Sequence, residues 1–115
     1  MKNRRGDIVL ALFPDSNSVT AKRRPALVVQ ADGMATQLPQ VIVAMISSNM
    51  ARSGLSFRVS IPLASPMNRG TGPRTDWVIM LDNLTTILDR HVDRKIGALS
   101  DTTLADAALR IILAV

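Results

Sequence analysis

Arg5-Gly6-Asp7-Ile8-Val9-Leu10-Ala11-Leu12-Phe13-Pro14, followed by Lys22-Arg23-Arg24-Pro25-Ala26-Leu27-Val28-Val29, is the stretch on which the fold turns. Each half contains an apolar run of strand length, and a polar loop with three consecutive cations joins them. The residue before a proline is pushed toward extended backbone, and a proline, having no N–H to donate, suits the first position of a strand. Strands are therefore expected at residues 7–13 and 25–31, with Arg24 held at the junction of loop and strand. Fixed positive charge at the mouth of a small β core is suited to holding a phosphate.

Outward from this pair, residues 40–46 form another apolar run, bounded by Pro39 and by Ser47-Ser48-Asn49. Residues 57–61 alternate Phe57, Val59 and Ile61 with Arg58 and Ser60, as a half-buried strand does, and residues 77–81 are again apolar. Between these two, the prolines and glycines of residues 66–74 predict a mobile loop. The C-terminus reads as a helix, with Ser100 as N-cap and Asp101 in a first turn where the helix dipole favours an anion. Leu104, Ala108, Ile111 and Val115 recur at helical spacing, and Asp106 and Arg110 form an i,i+4 pair on the polar side. The end, residues 111–115, is apolar all round and is expected to pack on the sheet and against a second subunit. The elements add up to a mainly β fold with a C-terminal helix, drawn as a small, strongly curved barrel, with strand order left open.

At 115 residues, 47% hydrophobic and 20% charged, the chain is expected to form a single globular domain over residues 1–115. Its apolar stretches fall far short of the roughly 20 residues of a membrane span, and its charged start lacks the apolar run of a signal peptide. Cysteine is absent, which removes disulfides, a cysteine nucleophile and thiolate metal sites. A cytoplasmic protein with no membrane partner is expected. The net charge of +5 is unevenly spread. Residues 1–24 carry six cations against two aspartates, and residues 51–75 carry Arg52, Arg58, Arg69 and Arg74 with no acid. Basic surface in two segments implies an anionic partner if they meet in the fold; otherwise it is a solvated face.

Two readings of Arg24 stay open. A positioned guanidinium stabilises a phosphate whose charge grows during reaction, whereas a surface arginine would pair with an acid such as Asp7 or Asp82. Lys22 and Arg23 suit general electrostatic attraction. Ser47, Ser48 and Asn49 offer two hydroxyls and an amide that can bind a phosphate oxygen or a ribose hydroxyl, or they simply make a turn. His91, the one histidine, lies between two aspartates and is given no role. With one histidine and scattered aspartates there is no ligand spacing for a metal, and no glycine-rich phosphate loop or nucleophile elbow occurs. Aromatic residues are few; Phe13, beside Pro14, is the best candidate for stacking on a base, with core filling as the alternative, and core filling is preferred for Trp77.

Gly6-Asp7-Ile8-Val9, Phe13-Pro14 and Arg24-Pro25-Ala26-Leu27-Val28-Val29 resemble the first two motifs of the MazF/PemK family of toxins from bacterial toxin–antitoxin systems. Residues 41–49 are similar to its third motif, residues 77–87 to its fourth, and residues 95–100 to the segment before its final helix. The resemblance implies an SH3-like barrel, a homodimer, and metal-independent cleavage of single-stranded mRNA with no cofactor. The ribose 2′-hydroxyl would attack the adjacent phosphate, leaving a 2′,3′-cyclic phosphate and a 5′-hydroxyl. Arg24 would be the catalytic arginine, and Ser47 falls where many members carry a catalytic threonine. Phe13, Lys22, Arg23, Ser48, Asn49 and Arg52 would bind RNA. The implied partner is a cognate antitoxin whose acidic, disordered tail occupies the basic groove. The chain departs from the family at Ser47, at Asn83 where glutamine is common, and at Thr85 where a cation is frequent. Two alternatives remain: a non-catalytic barrel that inhibits a protein such as DNA gyrase, and an inactive relative that binds RNA or antitoxin.

Overall fold

The computed structural model describes residues 3–14, 19–34, 36–61 and 76–115. Among them, six strands and a helix follow in the order β1 (Asp7–Pro14), β2 (Ala21–Val28), β3 (Gln40–Ser47), β4 (Arg58–Ile61), β5 (Trp77–Leu88), β6 (Val92–Ala98) and α1 (Thr103–Leu113). Short 3-10 turns at Met50–Arg52 and Asp89–His91 follow β3 and β5. All neighbouring strands pair antiparallel in one sheet, ordered β4-β5-β3-β2-β1-β6. With β4 and β6 as edges the sheet is not closed, and barrel is a loose word for it. Residues 66–74, expected as a mobile loop, lie outside the described residues.

Strand alternation builds two cores on opposite faces. Ile8, Leu27, Ala44, Ile46, Ile61, Trp77, Ile79 and Leu81 form one with Ala105 and Ala108 of α1. Val9, Ala11, Phe13, Ala26, Val28, Val41, Val43 and Ile87 form the other. Because Ile8 and Val9 of β1 and Ala26, Leu27 and Val28 of β2 are buried on both faces, those segments read as continuous apolar runs rather than alternating ones. Burying each large side chain contributes about 1.5–3 kcal/mol. Gly6 explains how β1 begins. Its φ of +92° suits glycine, a Cβ there would come within 3.2 Å of the Leu99 carbonyl, and its N–H donates to the Val28 carbonyl at 2.9 Å.

Several expectations need correction. β2 starts at Ala21, so the three cations sit in a strand rather than in a loop, and Pro25 lies inside it. The proline is tolerated because β2 pairs with β3 only through Ala26, Leu27 and Val28, leaving an open edge beyond. β5 continues to Leu88 instead of stopping at residue 81. Its pairing shifts from Met45↔Met80 to Ala44↔Leu84, so residues 81–83 form a bulge that hides the continuation from a periodicity count. β6 was not expected at all. Asp93-Arg94-Lys95 interrupts its pattern, a composition an edge strand tolerates because one side faces water.

The helix starts at Thr103 with Thr102, not Ser100, as its N-cap, and Asp101 just upstream satisfies the first helical N–H. Its Oδ1 accepts the Thr103 N–H at 2.9 Å and the Thr103 hydroxyl at 2.6 Å. Of the expected apolar stripe Ala108 is buried, beside Ala105, whereas Leu104, Ile111 and Val115 are 64%, 54% and 83% exposed. A helix apolar nearly all round does not select a face by periodicity. Arg5 selects it, pairing with Asp106 at 2.7 Å while its Nε donates to the Val29 carbonyl at 2.9 Å. Asp106 thus pairs with Arg5, not with Arg110.

The hydrogen bonds from Thr103, side chain first and backbone second, hold the Asp101 carboxyl below its ordinary range. A carboxyl lowered on folding stabilises the fold above its unfolded pKa of about 4, and that contribution is lost as pH falls through the folded value. Asp101→Asn is therefore expected to be less stable than the parent at pH 7, with the gap closing as pH falls below the ordinary carboxylate range. Urea denaturation at several pH values checks this; a gap constant with pH would contradict it.

Candidate nucleic-acid interface

The β1–β2 ribbon carries the first basic segment. Its register pairs Ala11↔Arg24, Leu12↔Arg23 and Phe13↔Lys22. Opposed residues share a face, so Lys22 and Arg24 lie on the face of Ala11, Phe13 and Ala26, and Arg23 lies on the other. Arg24 is half-buried, and Lys22 and Arg23 are exposed. Strand pairing defines the Arg24 backbone more tightly than the expected loop junction would have done.

Ser47 ends β3 opposite Val78 of β5. Its Oγ accepts the Asn49 N–H at 3.1 Å, and Asn49 Oδ1 accepts the Ala51 N–H at 3.1 Å, capping the Met50–Arg52 turn. Turn chemistry is therefore present, and the Ser47 hydroxyl still has its proton to donate. Ser48, Asn49 and Arg52 are exposed.

The sheet brings the two segments to one end. The β2–β3 ladder stops at Ala26↔Met45, and Arg24 and Ser47 each lie two residues beyond that last pair, on the face of Ala26 and Met45. The next cross-sheet row on that face runs Ala26–Met45–Met80–Arg58. Arg58, from the second basic segment, thus lies three strands from β2, about 14 Å away. Arg52 Nη1 reaches Met80 Sδ at 3.6 Å, and Asn83 Nδ2 reaches Met45 Sδ at 3.6 Å.

The aspartates named as alternative partners of Arg24 are engaged by other cations. Asp7 pairs with Lys95 at 3.3 Å and accepts the Arg4 N–H at 2.9 Å. Asp82 takes Arg58 in a two-pronged pair, Nη2–Oδ2 2.9 Å and Nε–Oδ1 3.3 Å. That hydrogen bond lowers the Asp82 carboxyl and raises the Arg58 guanidinium. Sequence reasoning missed this pair because its members are 24 positions apart; the alternation of residues 57–61 marked Arg58 only as outward-facing.

Phe13 is a correction. It is 4% exposed and packs in the second core, so its ring is not available to stack on a base. His91 lies half-buried in the 3-10 turn after β5. A cavity of about 630 Å³ lies at the opposite end of β2 and β3, lined by Gln30, Asp32, Met34, Leu38 and Asp89 among others; it contains no cation and none of the residues above.

Comparison with known proteins places these features in context. Residues 4–115 match the family model of PemK-like, MazF-like toxins of type II toxin–antitoxin systems. The endoribonuclease MazF2 of Mycobacterium bovis is 46% identical over 52 residues, which cover 44% of this chain and 46% of that relative, so the match spans about half the relative's length. Among solved structures, the Mycobacterium tuberculosis toxin MazF-mt6 superposes with a TM-score of 0.73 at 22% identity, covering 95% of this chain and 97% of that one. A mycobacterial endoribonuclease in complex with its cognate antitoxin gives 0.73 at 16% identity, covering 99% and 97%. At these identities the superpositions show a shared fold.

Proposed function

Because the chain belongs to the PemK-like, MazF-like toxins of type II toxin–antitoxin systems, we propose that it is an endoribonuclease toxin that cleaves single-stranded mRNA. The feature that supports this is that Arg24 and Ser47 lie on one face of the sheet, each two residues beyond the last β2–β3 pair, Ala26↔Met45. Arg24 offers two parallel N–H donors to a phosphate, and Ser47 offers one hydroxyl.

In the proposed reaction the 2′-hydroxyl of the RNA loses its proton and its oxygen attacks the adjacent phosphorus. The bond from phosphorus to the 5′-oxygen breaks, and that oxygen takes up a proton. The products are a 2′,3′-cyclic phosphate and a 5′-hydroxyl. Arg24 stabilises the negative charge that grows on the phosphorane, where a fixed cation acts most strongly on the transition state. Ser47 orients the phosphate or the 2′-hydroxyl. Lys22, Arg23, Ser48, Asn49 and Arg52 hold the strand. The nucleophile is the substrate's own hydroxyl, so no metal is needed to generate one.

The same reading makes a cognate antitoxin the natural partner, its acidic tail seated on the cations of β2. It also makes the active species a homodimer, for which the exposed Leu104 and Ile111 of α1 and Val115 beyond it offer apolar surface. Acting on mRNA, the protein works in the cytoplasm. Incubating the purified protein with a long single-stranded RNA in excess chelator tests the proposal. Discrete fragments with 5′-hydroxyl ends are expected. Intact RNA, with DNA supercoiling by gyrase inhibited instead, would replace this function with inhibition of a protein target.

A further inference from the structure

Each of the three nitrogens of the Arg58 guanidinium donates a hydrogen bond within the protein. Two nitrogens grip Asp82, Nη1 donates to the main-chain carbonyl of Arg52 at 2.9 Å, and the group lies 5.6 Å from the centre of the Phe57 ring. With Asp82 matching its charge, Arg58 adds little to a field that attracts phosphate. What it reaches is the Met50–Arg52 turn, none of whose residues is buried. The bonds described for that turn otherwise stay within residues 49–53, apart from the weak Arg52–Met80 sulfur contact. Beside the Asn49 N–H bond to Ser47 Oγ on its β3 side, the bond from Arg58 to Arg52 thus ties the far end of this exposed turn to the sheet.

We propose that Arg58, oriented by Asp82, is a positioning residue that holds the turn after Ser47 in the conformation that binds the RNA backbone. This rests on the reading of the Arg24–Ser47 end as the RNA site. Ser47 itself is held by the β3–β5 ladder, so loosening the turn displaces Asn49 and Arg52 while leaving Ser47 in place. A turn fixed before binding pays less ordering entropy when RNA arrives, so the clamp acts on affinity more than on the chemical step.

Two substitutions separate this from simple charge attraction. Arg58→Lys keeps the charge but cannot grip both carboxylate oxygens and the carbonyl together. Asp82→Asn keeps the shape and removes a negative charge, so charge attraction alone would tighten RNA binding. The clamp requires both variants to bind more weakly, by about tenfold, the worth of one charge-assisted hydrogen bond. Binding is read by fluorescence anisotropy with a 2′-O-methylated oligonucleotide, which has no free 2′-hydroxyl and so is not cut. On cleavable RNA, KM should rise by a similar factor with kcat within about twofold of the parent, and the double variant should be no worse than either single one. Thermal melting of each variant identifies the folded fraction to which affinities refer. Unchanged affinity in Arg58→Lys, or tighter binding in Asp82→Asn, overturns the clamp. Absence of cleavage by the parent with RNA binding intact overturns the nuclease reading and leaves the clamp tested by affinity; no RNA binding by the parent overturns both.

Discussion

Arg24→Ala is expected to yield a folded protein that cuts single-stranded RNA about 10²–10³-fold more slowly, the cost of removing one donor that stabilises transition-state charge. Folding should survive, because Arg24 belongs to neither core and stands on a ribbon open on its β3 side. The loss should fall on kcat, since the interaction strengthens as the phosphorane forms. Arg24→Lys should recover only part of the rate: an ammonium supplies the charge without the planar fork that matches two phosphate oxygens. Initial rates at saturating RNA, with melting curves on the same preparations, make the measurement. Parent-like rates in a well-folded Arg24→Ala protein would reduce Arg24 to a surface cation and remove the basis for the proposed mechanism.

Phe13→Ala is expected to lose about 3–5 kcal/mol of stability, the usual cost of emptying a phenylalanine site in a packed core. A natural domain holds only about 5–15 kcal/mol in total, so the melting temperature should fall by more than about 10 °C. Phe13 is buried as a member of the second core, with Val9, Ala11, Val28, Val41 and Val43 among its other members, so its removal opens a cavity in that core. RNA affinity of the protein that remains folded at low temperature should change little. A base-stacking role would give the opposite pattern, a parent-like melting temperature with affinity reduced by roughly 1–3 kcal/mol.

Strand positions were largely legible because alternation and turn residues act locally. Val59 and Ile61 are buried with Ser60 exposed between them, as their pattern requires. Legibility failed where neighbours far along the chain decide the outcome. Pro25 looked like a strand start, since nothing local shows that β3 stops pairing at Ala26. The continuation of β5 was hidden by a bulge, and β6 by charges that only an edge position permits. The helix face depended on Arg5, about a hundred residues before the Asp106 it holds.

The linear pattern of the chain was sufficient to mark a β fold with a terminal helix and to offer Arg24 as a candidate for holding a phosphate, while Ser47 was singled out by the family resemblance. Backbone preferences and apolar spacing operate over a few residues and need no distant partner. The company those side chains keep came from the folded arrangement. Strand register puts Arg24 and Ser47 on one face, gives Asp82 to Arg58, and turns Phe13 inward. A slip of one residue in any of those pairings would exchange the two faces, and no local stretch of sequence carries that information.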